Sequence, residues 1–233
     1  MTEGAQTVVA ARIRGAAALG LVPPRGTVAM PATLLADPAW TAERLTERGR
    51  TQCSGDARVV ATVWWYSVST VLLTPPLAGL VAGIPLSARL ADTSISFRSG
   101  LPCASVASPG RNDLAGDLRD SLAAVIAAVA EAGRMRERPL WALATDSLAN
   151  ALLALGRAVG DVPAVTAVAA PLAAAVGRPL PPPRYTDVAG ARFVRRASCC
   201  LVLELPGQPM CTSCPRRPPA ERQALLESAA RWF

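Results

Sequence analysis

The sequence predicts a mainly α protein of the α+β class: a single helical domain with a small β-hairpin and a cysteine-rich C-terminal module. Three observations predict it. Half of the 233 residues are apolar, drawn mainly from Ala, Leu and Val with few aromatics, a composition that favours helix because Ala loses no side-chain entropy there. The 21 prolines keep those helices short or interrupted. Four of the six cysteines fall within residues 199–214.

Taken in order, residues 1–30 read as one irregular helix followed by the turn "VPPRG". "DPAWTAERLTERGR" opens on Asp37-Pro38, well suited to start a helix, and ends near Gly49. From Val59 to Ala88 there is no charged residue. That length would suit a membrane span, but Pro75-Pro76 and four hydroxyl residues favour two buried helices joined at a proline turn. "ADTSISFRSGLPCASVAS" alternates apolar and polar residues around a break, as a hairpin does. The clearest helix starts at Asn112 or Asp113, with Leu114, Leu118, Leu122 and Ile126 four apart. "PLWALATDSLANALLALGRAVG" repeats the pattern to Gly160, and a further helix is expected over 163–176. The proline-rich "GRPLPPPRYTDVAG" reads as a rigid spacer. It divides a helical body, 1–183, from a module and closing helix, 184–233, within one compact domain.

The net charge is +7, and every basic residue is Arg; Lys and His are both absent. A positive surface draws in anionic partners. Without His there is no Ser-His-Asp triad, His-x-Glu deaminase site, Rieske centre, two-His zinc finger or His-held haem. The first apolar stretch is broken by Arg12 and Arg14, unlike a secretory signal. The expected location is therefore the cytoplasm, where clustered thiols point to metal or redox work rather than disulfides.

Cys199, Cys200, Cys211 and Cys214 form the pattern C-C-x10-C-x2-C. Between the pairs, "LVLEL" has strand character and Pro206-Gly207 supplies a turn, so a hairpin would fold one pair onto the other. Four thiolates suit tetrahedral zinc or an iron–sulfur cluster. Structural zinc usually takes spaced pairs at both ends, whereas adjacent ligands sit more easily around a wider two-iron rhomb. Burial as small hydrophobes and a local disulfide are the plainer readings. Cys53 and Cys103 stand alone and are assigned to packing. A four-cysteine module on a basic chain also admits a structural or nucleic-acid-binding role. The dispersed arginines and scarce aromatics speak against the latter.

"RRASCCLVLELPGQPMCTSCPRRPP", residues 195–219, resembles the C-terminal signature of the FhuF-like ferric-siderophore reductases. The doubled arginine and doubled cysteine open it, with one extra residue of spacing, and Cys211, Cys214 and Pro215 close it. The resemblance implies a [2Fe–2S] cluster on the four cysteines and one-electron reduction of a ferric siderophore, of hydroxamate type. It also implies a low-potential electron donor, such as a ferredoxin or flavin reductase, and no nucleic-acid partner; peripheral membrane association is left open. Arg195, Arg196, Arg216 and Arg217 bracket the ligands, and are candidates for docking the chelate or donor and for raising the cluster potential. Donors to sulfur are expected from the amides of "PMCTSC" and the hydroxyls of Thr212 and Ser213.

Overall fold

In the computed structural model, which describes residues 4–111 and 113–232, the chain is built around one long helix. This helix, α3 (Ala57–Ala82), is capped by the Asp56 carboxylate, which accepts from the amides of Arg58 and Val59. It is buried almost end to end, with Trp65, Leu73 and Leu77 fully enclosed. Pro75 and Pro76 lie inside it rather than at a turn between two helices. The reason is local. A proline at 75 leaves the Val71 carbonyl without its helical donor, and the Ser105 hydroxyl, from a distant strand, donates to that carbonyl at 2.6 Å. By length and composition α3 could cross a membrane, and most of it is buried within the fold.

Two further helices pack around α3. In α4 (Leu114–Ala132) the Asp113 carboxylate accepts from Gly116 N, and Leu118, Leu122, Val125, Ile126 and Val129 form the buried stripe; the alternative cap, Asn112, lies outside the described residues. α5 (Glu137–Val159) ends at Gly160, whose left-handed backbone closes the helix. Hydrogen bonds pin α3 to α5: the Trp65 indole donates to the Leu140 carbonyl at 2.7 Å, the Ser69 and Ser147 hydroxyls meet at 2.7 Å, and the Thr70 hydroxyl donates to Ser147 Oγ at 3.4 Å.

Ahead of α3, α1 (Ala5–Arg12) and α2 (Pro38–Thr51) flank a strand, β1 (Val28–Pro31). The N-terminal segment is therefore not one irregular helix. β1 adds to the expected hairpin of β2 (Thr93–Arg98) and β3 (Leu101–Ala107), giving an antiparallel sheet in the order β1-β2-β3. The hairpin turns at Ser99-Gly100, both with positive φ, the backbone that a two-residue turn needs. Buried Gln6 ties α1 to this sheet, donating to Leu21 and Ser105 carbonyls and accepting from Ala107 N.

The helix expected at 163–176 is two, α6 (Val162–Ala167) and α7 (Ala169–Val176). Pro171, within the first turn of α7, cannot donate to the Ala167 carbonyl, so the ladder is not continuous there. The proline-rich segment that follows lies on the body: Leu180 joins the main core and the Pro181 carbonyl accepts from the Thr145 hydroxyl at 2.9 Å. Next comes a second hairpin, β4 (Tyr185–Val188) and β5 (Ala191–Val194), across the end of the expected spacer and the start of the expected module, where no hairpin was expected. α8 (Pro219–Ala230) closes the chain.

"LVLEL" is not a strand. Leu201 adopts a left-handed conformation, Val202–Glu204 forms a 3-10 turn, and Leu201 and Leu205 pack on Val59 and Val63 of α3. Burying these leucines against α3 favours the compact turn over an extended ladder that has no partner strand here. Cys53 is also corrected: it is exposed rather than packed. Cys103 is partly buried, its thiol 3.3 Å from the Ser96 carbonyl that accepts from it.

Candidate metal centre

β5 delivers the chain to the cysteines, and α5 holds it there. Asp146, in the middle of α5, is 1% exposed. Its carboxylate accepts from the amides of Ala197 (2.7 Å) and Ser198 (3.2 Å) and from Arg196 Nε (3.3 Å). One buried side chain thus fixes three consecutive residues just before the first cysteine. Burial pushes the Asp146 carboxyl up, and the Ala197 amide and Arg196 pull it back towards the ionised form.

Arg196 continues the network towards sulfur. Its side chain is 4% exposed. Its guanidinium lies 4.8 Å from the centre of the Tyr66 ring and directs Nη1 at both Cys200 Sγ (3.4 Å) and Cys211 Sγ (3.5 Å). Burial alone would lower its pKa, but the surrounding negative groups outweigh burial and hold it up. Nη2 is buried with no hydrogen-bond partner. A cationic N–H is therefore left over beside the cysteines for an anionic group.

The four sulfurs come together as two pairs. Cys199 and Cys214 Sγ are 3.8 Å apart, while Cys200 and Cys211 share a hydrogen bond. In an extended strand neighbouring cysteines would face opposite ways; Cys199 and Cys200 lie outside any strand, and the chain turns directly after them at left-handed Leu201. The same turn aims the Leu201 amide at Cys199 Sγ and the Val202 amide at Cys200 Sγ. These amides, with Arg196, are the donors to sulfur here; the ones expected from residues 209–214 are not among the described bonds. The Cys211 hydrogen bond, helped by Val202 N and Arg196, holds the Cys200 thiol down to about 5. The same bond pushes Cys211 up, and burial raises Cys199. Cys214 is buried at 1%, Cys200 at 5%, and Cys211 is exposed at the rim.

Does this donor set fit a two-iron cluster? Two thiolates on one tetrahedral metal with bonds near 2.3 Å lie about 3.8 Å apart, and the Cys199–Cys214 pair stands at 3.8 Å. Among the described residues no three Cys, Asp or Glu side chains gather around a single ion-sized point. Two separate pairs, amides on sulfur and a buried cation suit a dinuclear anionic cluster better than one zinc ion. None of the cysteines forms a disulfide.

The bracketing arginines differ in role. Arg216 Nη1 pairs with Glu204 at 2.6 Å and ties the loop to itself, while Arg217 donates to the Met210 carbonyl and pairs with Glu221, tying the loop to α8. Arg196 is internal. Arg195 is exposed and lines a cavity of about 390 Å³ whose wall includes Ala197, Ser213 and Pro215 of the cysteine loop. Asp146 and Tyr66 were missed from the sequence. Asp146 left one signal, since it is the only acidic residue between Arg138 and Gly160.

Residues 196–216 match the family model described as the FhuF 2Fe-2S C-terminal domain. No curated protein and no solved structure matches the chain. The segment from Arg196 to Arg216, with its four cysteines, is thus a FhuF-type [2Fe–2S] module, in keeping with the FhuF-like family.

Proposed function

We propose that this protein reduces Fe(III) held in a siderophore to Fe(II), one electron at a time, in the cytoplasm. The observation that carries the reading is the placing of a [2Fe–2S] module with Cys211 at the exposed rim, its loop forming one wall of a basic cavity. When bound, the cluster supplies a one-electron store. Siderophores grip Fe(III) with hard anionic oxygens, and Fe(II), of lower charge density, is held far more weakly. The added electron ends on the iron, the chelate loosens, and an external low-potential donor restores the protein. No proton transfer or covalent step on the ligand is required, which accords with a chain lacking His.

The chain's own residues do the rest. Cys199, Cys200, Cys211 and Cys214 hold the cluster. The Leu201 and Val202 amides and Arg196 place positive charge on sulfur, which favours the more negative, reduced form and raises the potential. Asp146 keeps Arg196 and the loop in position.

The test is anaerobic purification, iron and sulfide analysis, and electron paramagnetic resonance of the reduced protein. Addition of a ferric hydroxamate chelate, with a ferrous-specific dye as trap, follows. The expected result is a red-brown protein whose reduced signal disappears as stoichiometric Fe(II) is trapped. A colourless zinc protein, or a reduced signal that survives the chelate, would overturn the reading.

A further inference from the structure

The cavity beside the cysteine loop is lined by Arg184, Arg195 and Arg222 as well as Arg196, and by no acidic residue. Arg184 and Arg195 are exposed, and among the described residues neither guanidinium has a hydrogen-bond or ion-pair partner. Arg222 spends its Nη1 on the Cys214 and Arg217 carbonyls and has no ion-pair partner among the described residues. Arg196 is matched by buried Asp146, whereas Arg184, Arg195 and Arg222 add charge to the concave site with no ion pair among the described residues, which focuses positive potential there. Guanidinium forks match carboxylates in geometry as well as charge, and the hydroxyls of Thr186 and Ser213 in the same wall add neutral donors.

We propose that this cavity seats pendant carboxylate groups of the ferric chelate, so that the preferred substrates are hydroxamate siderophores carrying free carboxylates rather than neutral ones. The inference rests on the reductase reading and narrows its substrate class. A tris-hydroxamate ferric centre is itself neutral, so a full negative charge to match the arginines comes only from added acidic arms. A volume of about 390 Å³ is at the small end of ligand sites, and suits an arm of the chelate rather than the whole molecule. A flat acidic patch on a protein donor would not enter it. Seating an arm there brings the iron alongside Ser213 and Pro215, which flank Cys214, and Ala197, two residues before Cys199.

The test uses redox-inert gallium(III) complexes of one tris-hydroxamate, either with free pendant carboxylates or as the methyl esters, titrated calorimetrically into the cluster-loaded protein. The free acid binds roughly tenfold or more tighter than the ester, the scale of a charge-assisted hydrogen bond, and the preference shrinks at high salt. In the double variant Arg184→Gln/Arg195→Gln the preference disappears while the cluster's visible spectrum and the far-ultraviolet circular dichroism are unchanged. Equal binding of acid and ester, or a preference that survives in the double variant, overturns the inference. The ferric complexes separate the two readings. If the reduced protein passes electrons to both without preferring the acid, the reductase stands and the cavity assignment falls. If the acid is preferred in binding yet neither ferric complex is reduced, the carboxylate site stands and the reductase falls.

Discussion

Removing the Asp146 carboxylate should release the cysteine loop from the helical body. Asp146→Ala leaves the Ala197 and Ser198 amides without their acceptor and Arg196, 4% exposed, without its counter-charge. Breaking a buried ion pair by deleting one partner costs about 3–5 kcal/mol. Because those bonds join the loop to α5, the loss falls on local opening, and at 1.4 kcal/mol per tenfold it speeds exchange of the two amides by roughly 100-fold or more. Hydrogen exchange read on peptides spanning 195–201, beside iron and sulfide per chain, measures both consequences. Asp146→Asn should lose nearly as much, since its amide nitrogen would meet donors where an acceptor is needed. Adding Arg196→Gln to Asp146→Asn should give a smaller loss than the two singles together, because the stranded cation is then gone. Unchanged protection of Ala197 and Ser198, with a full complement of iron and sulfide in Asp146→Ala, would refute the reasoning.

Three other outcomes are expected. Arg196→Gln removes a cation 3.4 Å from Cys200 Sγ and should lower the cluster potential by on the order of 100 mV, as a charge at this range under an effective dielectric near 20 implies; Arg195→Gln, which touches no sulfur, should leave the potential nearly in place in the same redox titration. Cys200→Ser should abolish the normal [2Fe–2S] spectrum while circular dichroism retains most of the helical signal, and a full cluster by iron and sulfide analysis would remove Cys200 from the ligand set. Gly79→Ala gains ~1 kcal/mol in an exposed helix. Here the new Cβ would lie 2.6 Å from the Ile84 carbonyl oxygen and 2.9 Å from Leu86 N, so denaturant unfolding should show a loss of about 1–3 kcal/mol instead.

What the sequence made legible was whatever depends on near neighbours. The stripe of α4, the Gly160 stop of α5 and the alternation of β2 and β3 are local patterns, and each is present. The cysteine spacing was legible for the same reason. Misreadings came where a distant partner decides. Pro75-Pro76 predicts a break until Ser105, thirty residues later in the chain, supplies the donor. "LVLEL" has strand propensity, and α3 offers its leucines an apolar surface rather than a strand edge. The β4–β5 hairpin was hidden by the prolines before it, although Ala189-Gly190, both with positive φ, makes the same two-residue turn as Ser99-Gly100. Asp146 could be noticed from its isolation in α5, but its partners at 196–198 come from fifty residues away.

Ser213 and Pro215 line the cavity while Cys214 between them carries a sulfur, and Ala197 in the same wall stands two residues before Cys199. Consecutive Cα atoms are about 3.8 Å apart, so a guest resting against this partition is only a residue or two of polypeptide from the metal, however it happens to be turned. An electron asks for nearness and tolerates almost any pose, unlike a nucleophile that must approach along a fixed line. With guests docked as proposed, a thin shared partition of this kind accepts many outlines, with charge as the admission rule and shape left free.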